Sequence, residues 1–282
     1  MVVITRIFAV FSLSAAISCS SDSASTPDAG TMDTSSDATS TAEVGAVACT
    51  VFFGRPTAKT GLTEDQCKPA CDCGGRSFEA AEFDAARLER MAALQWANPA
   101  SELASDPYGE PAPPVSGVCG ILVDGASYTT ASYASTAEAE AAGAVVSHSG
   151  LCGVCSSLQD LAVYATNIDL TTPVRQCGIL GITQGEEANL QCLLDLGFTK
   201  PCAQVWYYNT VHTRTECQEP CIRLLNAPYQ NADGTLNECL LCDEEKSGPV
   251  FKAIAGRTRR NSGLASALCR PCEEVLPLSH DY

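Results

Sequence analysis

Seventeen cysteines in 282 residues constrain this chain more than any other feature. One of them, Cys19, ends an apolar N-terminal run. The other sixteen fall between Cys49 and Cys272. An even count at this density has two outlets: thiolate–metal coordination in a reducing compartment, or disulfides in an oxidising one. Cys239-x-x-Cys242 with Cys269-x-x-Cys272 has the spacing of a four-thiolate zinc site. Oxidation after export competes with that outcome, so the expectation is no metal, no cofactor and up to eight disulfides. Each native bridge is worth about 2–4 kcal/mol, largely through the unfolded chain. Spacing alone does not give the pairing.

Export is read from the first residues. A single positive charge at Arg6 precedes an apolar run from Ile7 to Ile17, too short to span a bilayer. The run ends Ala16-Ile17-Ser18-Cys19. This resembles the lipobox of bacterial lipoproteins, departing from it at Ala16, where leucine is commonest. The resemblance covers residues 1–44 and implies cleavage after residue 18 and acylation of Cys19. Several acyl chains on one residue anchor firmly. Ala16 and Ser18 also suit an ordinary signal peptidase, which leaves unlipidated release as the alternative. Residues 19–45 then form a tether: Ser and Thr fill 12 of the 25 positions from 20 to 44. Such a segment buries no core, and a flexible chain of this length spans about 25–30 Å on average. Beyond residue 46 there are 28 acids and 16 bases, a balance that argues against a nucleic-acid partner. The expected partners are a membrane, through the N-terminal lipid, and an extracellular ligand or protein. The expected location is the outer membrane or cell surface of a bacterium, or secretion if Cys19 is free.

The pair Cys152-Gly-Val-Cys155 raises the question of chemistry. Ser156 and Gln159 have capping-box spacing, and Leu158, Leu161 and Ala162 continue at helical intervals. Cys155 would then sit at a helix start, where the dipole lowers a thiol pKa. His148, if protonated and close, would help. Gly153 would let the two sulfurs approach. The arrangement resembles the helix-start motif of thioredoxin-like enzymes and implies a redox dithiol. The competing reading is one more structural bridge in an exported protein.

The remainder of the cysteine-rich domain, residues 46–282, reads as mainly α with minor β: an assembly of short disulfide-linked helices with one or two short strands. Strands are expected at Ala46–Phe53 and Gly120–Val123. Phe78, Ala81, Ala85, Leu88, Ala92 and Trp96 make one stripe, which predicts a helix over Ser77–Ala97. A sub-boundary is expected at 99–116, rich in Pro, Ser and Gly. Further helices are expected over Thr136–Ala142, after Thr172-Pro173, from Thr183 to Leu196 and from Pro201.

Arg257, Arg259 and Arg260 precede a helix that Asn261 or Ser262 could cap. Arginines beside free helix-start amides suit a carboxylate, sulfate or phosphate. The alternative is pairing with Asp243, Glu244 and Glu245. No hydrolase, nucleotide-binding or haem motif is present in the sequence. Two functional classes therefore remain: a binding or structural module, and a thiol–disulfide oxidoreductase using Cys152 and Cys155.

Overall fold

The computed structural model describes residues 49–282; the expected signal segment, Cys19 and the expected tether lie outside them. Among the described residues there are nine α-helices and three small sheets. The expectation of one or two short strands therefore undercounts the β structure. No described helix is long and apolar enough to cross a membrane.

The N-terminal third is held by sulfur rather than by long elements. Strand β1 (Phe52–Phe53) pairs in parallel with β2 (Cys67–Lys68). The hairpin β3 (Ala70–Cys73) and β4 (Arg76–Glu79) turns at Gly74-Gly75, where φ is 59° and 75°. Two positive φ values in a two-residue turn match the twist of the flanking strands and favour glycine. This hairpin takes the first residues of the expected Ser77–Ala97 helix. The helix that forms, α1, is only Ala85–Ala93, because the Asp84 carboxylate caps it by accepting from the Arg87 amide. Trp96 then belongs to strand β5 (Gln95–Trp96). Tertiary pairing has overridden the helical periodicity.

The main sheet has the order β5-β7-β6-β8, with β6 at Val118–Asp124, β7 at Ser127–Tyr133 and β8 at Val145–Ser149. Helix α2 (Thr136–Ala141), capped by Ser135, lies before β8 and buries Ala139 against Val118 and Val146. Residues 99–116 hold a short turn that packs on the helices: Tyr108 donates to Asn209 and stacks on His212 at 4.2 Å between centroids.

The helical body comprises α3 (Leu158–Thr166), α4 (Thr171–Gln184), α5 (Glu186–Asp195), α6 (Lys200–Glu216), α7 (Gln218–Arg223), α8 (Glu238–Lys246) and α9 (Gly248–Ala255). Its core contains Leu158, Leu161, Leu193, Phe198, Val205 and Phe251. Strand β9 (Arg270–Pro271) returns to pair with β1. Among the described residues no α-helix follows Ser262; the 3-10 turn Arg260–Ser262 ends at Gly263 in the left-handed region, and a second, Cys272–Glu274, follows β9.

All sixteen cysteines from Cys49 to Cys272 are bridged. Cys67–Cys269 and Cys71–Cys272 clamp the two ends of the domain. Cys177–Cys192 joins α4 to α5, and Cys217–Cys242 with Cys221–Cys239 fix α7 and its start to α8. The four cysteines with zinc-like spacing, Cys239, Cys242, Cys269 and Cys272, thus belong to four different disulfides. The eight bridges mark the domain as one built for an oxidising, extracytoplasmic setting.

Candidate functional site

The Cys152/Cys155 pair is not a dithiol. Cys152 bonds Cys119 on β6, and Cys155 bonds Cys202 in the first turn of α6. The reason lies in the register. Cys119 stands opposite His148, which puts its sulfur beside the strand leading to Cys152. Cys155 is held on the other side: its amide donates to the Ala255 carbonyl, and its own carbonyl accepts from Arg257. Cys155 is also fully buried. The exchange chemistry expected of a Cys-x-x-Cys pair has lost its geometry, and each sulfur staples this segment to a different neighbour.

Gly153 serves a different close approach from the one expected. A Cβ at this position would overlap the Ile254 carbonyl oxygen and the Gly256 amide, so glycine lets this segment lie against the end of α9. The helix cap is shifted by one residue. Ser157, not Ser156, accepts from the Asp160 amide at 2.9 Å. Ser156 Oγ instead accepts from the Gly153 amide and lies 2.8 Å from His148 Nε2. That contact has nucleophile–base spacing, but both side chains are wholly buried and closed to any substrate. Burial, and then the Arg257 charge, hold His148 well below the usual histidine range and keep it neutral.

The arginine trio divides three ways. Arg257 has no exposed surface and donates to the Cys155, Ser147 and Ser156 carbonyls and to Ser147 Oγ at 2.6 Å. It braces the loop around the two stapled cysteines and is not open to an anion. Arg260 pairs with Glu244 at 3.3 Å and Glu274 at 3.6 Å. Only Arg259 keeps donor capacity. Its Nη1 donates to the Ala265 carbonyl at 3.3 Å, whereas its buried Nη2 has no partner. The free helix-start amides expected beside these arginines do not exist, since no helix starts there.

Arg259 lines a cavity of about 630 Å³ bounded by α4, α6, α7, α8, α9 and the segment from Thr258 to Arg270. This falls within the roughly 300–1,000 Å³ usual for small-molecule sites. The wall is mostly apolar, with Val174, Phe251 and Leu264 among the buried residues. Ile179, Ile182, Ile222 and Leu225 also line it and are exposed, so they form an apolar rim. Two more lining groups, the Tyr164 hydroxyl and Trp206 Nε1, make no well-aligned hydrogen bond, although the indole N–H lies close to the hydroxyl. The three lie together. The Trp206 and Tyr164 ring centroids are 6.3 Å apart, and the Arg259 guanidinium carbon is 6.0 Å from the Tyr164 centroid. Burial pushes the Tyr164 hydroxyl well above its usual pKa, so it remains a donor, and lowers Arg259 to about 10, still charged at neutral pH.

Nothing in the sequence marked Tyr164 or Trp206. Both fall on helices where an aromatic reads as core, and only the missing partners set them apart. The two other buried side-chain atoms without partners, Trp96 Nε1 and Asn189 Oδ1, belong to residues outside this lining.

Residues 186–278 match a family of unknown function (DUF8771). The matched stretch carries Trp206 and Arg259 and one side of the cavity, while α4 and Tyr164 precede it. No curated protein and no solved structure matches the chain significantly.

Proposed function

We propose that this chain is an exported binding module, tethered to a bacterial membrane through acylated Cys19, which takes a small extracellular ligand in the cavity between α4, α6 and α9. One observation carries the reading: a mostly apolar cavity backed by the partnerless Arg259 Nη2, with the Tyr164 hydroxyl and the Trp206 N–H beside it. Buried polar atoms are nearly always satisfied, and a pocket combining apolar walls with a few polar groups is the usual form of a ligand site. The disulfides support a rigid, preformed site. They give no support to the oxidoreductase alternative, since that chemistry needs Cys152 and Cys155 bonded to each other.

The test is saturable binding of a neutral apolar dye, N-phenyl-1-naphthylamine, to the oxidised mature protein, followed by dye fluorescence. One-to-one binding is expected. Val174→Phe, which narrows the cavity, should weaken it while circular dichroism stays unchanged. Absence of saturable binding, or indifference to Val174→Phe, would count against the cavity as the working site.

A further inference from the structure

Six of the chain's seventeen lysines and arginines line this cavity: Arg175, Arg214, Lys252, Arg259, Arg260 and Arg270. Only three of its thirty-three acids do, namely Asp169, Asp243 and Glu244. The local balance thus inverts that of a chain with net charge −16.

The three acids are already engaged. Asp169 accepts from the Thr172 amide and hydroxyl and from the Tyr229 hydroxyl. Asp243 accepts from Thr213 and Asn209. Glu244 accepts from Arg260 and Arg270. Among the described residues, no carboxylate pairs with Arg214, Lys252 or Arg259. Of these three, Arg259 has the buried, unpartnered nitrogen, and it stands beside the Tyr164 and Trp206 donors.

A guanidinium held in an apolar wall without a counter-ion is costly. A carboxylate suits its planar fork and can also accept from a hydroxyl and an indole N–H. The other polar clusters of the lining, Asp243 with Thr213 and Asn209 and Glu244 with Arg260 and Arg270, are satisfied among themselves, and the exposed rim is Ile179, Ile182, Ile222 and Leu225, so the remainder of the ligand is apolar.

Resting on the binding-module reading above, we infer that the ligand is an amphiphilic carboxylate of fatty-acid type. Its head sits against Arg259, Tyr164 and Trp206, and its chain lies along the apolar wall toward Ile179 and Ile182.

Titration calorimetry of the oxidised mature protein with decanoate, 1-decanol and acetate tests this, alongside the neutral dye. Decanoate should bind about tenfold or more tightly than decanol, the size expected for a charge-assisted hydrogen bond. Acetate should bind far more weakly than decanoate. Arg259→Gln should bring decanoate and decanol level while near-UV circular dichroism stays unchanged. Arg259→Lys should restore part of the preference, and Arg260→Gln should leave it unchanged. A purely structural Arg259 would not alter head-group preference. Equal affinity of decanoate and decanol for the native protein, or a preference that survives Arg259→Gln, overturns the carboxylate assignment and leaves the binding module standing. If decanoate, decanol and dye all fail to bind, both readings fall together. If an anionic phosphatidylglycerol vesicle captures the Cys19→Ser protein, which has no acyl anchor, and decanoate does not displace the dye, the occupant is a lipid surface and the free carboxylate is rejected.

Discussion

The Arg259 guanidinium carbon lies 6.0 Å from the centre of the Tyr164 ring, and neither Arg259 Nη2 nor the Tyr164 hydroxyl has a hydrogen-bond partner. The ring face attracts the cation, but by less than its lost hydration. A group retained at such a position burdens the empty protein, as binding residues often do. Arg259→Met should therefore stabilise the ligand-free protein by about 1–3 kcal/mol, in line with apolar replacement of buried charges. Guanidinium unfolding of both proteins under oxidising conditions measures it. A clear loss of stability in Arg259→Met would assign the residue a structural role.

The bridges around residue 152 make a sharper claim. Peptide mapping without reduction should recover Cys119 joined to Cys152 and Cys155 joined to Cys202, with no peptide in which Cys152 and Cys155 close on each other. Cys155 and Cys202 are 47 residues apart. Loop-closure entropy then assigns the bridge roughly 4 kcal/mol. A Cys155→Ala, Cys202→Ala double variant should lose about that much, and free thiols should stay near zero in the native protein. Recovery of a Cys152–Cys155 loop would reopen the redox question.

These outcomes show where the sequence was informative. Oxidised sulfur followed from the number of cysteines together with the expectation of export, neither of which depends on how the chain packs. The helix at Thr136, the Gly120–Val123 part of strand β6 and the proline-started α6 were readable because caps, turns and Pro act within a few residues. The pairing of Cys155 with Cys202 was not, since it depends on how α3 meets α6. The Ser77–Ala97 helix failed because Arg76–Glu79 finds a partner strand through the Gly74-Gly75 turn, a tertiary contact that periodicity does not encode. The arginine trio was expected to act together, but one residue became a buried brace, one an ion pair and one a cavity wall. Only packing separates those fates.

Gly153 offers a test of the packing itself. Its missing side chain leaves room for the Ile254 carbonyl and the Gly256 amide, both backbone atoms that cannot rotate aside. Gly153→Ala should cost at least about 3 kcal/mol, beyond ordinary overpacking. Gly150→Ala is the comparison: φ there is 87°, but open space surrounds the position. It should cost only the backbone term, on the order of 1 kcal/mol. Similar losses in the two variants would contradict the close crossing.

The proposed membrane tether is separable from the fold. Cys19→Ser should shift the protein from the detergent phase to the aqueous phase in cloud-point partition and remove the acyl mass from the N-terminal peptide. Its unfolding midpoint should stay unchanged, because all eight bridges use other cysteines. Aqueous partition of the unaltered protein would instead support secretion.

Acid should loosen the domain through its buried histidines. His280 is fully buried, its ring 2.7 Å from the Ser262 carbonyl through Nε2 and 3.1 Å from the Tyr282 hydroxyl through Nδ1. Arg257, Arg87 and Asp281 are the charges near it, and Phe83 packs on its ring. Burial, and then the Arg257 charge, lower its pKa from 6.5 to about 4, and His148 is lowered in the same direction. Each ring is thus neutral in the folded protein at a pH where the unfolded chain binds a proton. Their contribution is complete above about 6.5 and is lost as pH falls toward 4. Asp160 and Asp243 act oppositely: burial raises Asp160 from 3.8 to about 6 and raises Asp243 as well, so the folded state gains protons in part of the same window. The histidines are displaced further from their ordinary values and leave net destabilisation on acidification, with His280 alone worth on the order of 3 kcal/mol by pH 4. Chemical unfolding at pH 7.5, 6, 5 and 4 should show stability falling with pH. His280→Asn, which tolerates the positive φ of 55° at this position, should flatten that decline by about one proton. An unchanged slope in His280→Asn would mean that the ring is already charged in the folded state.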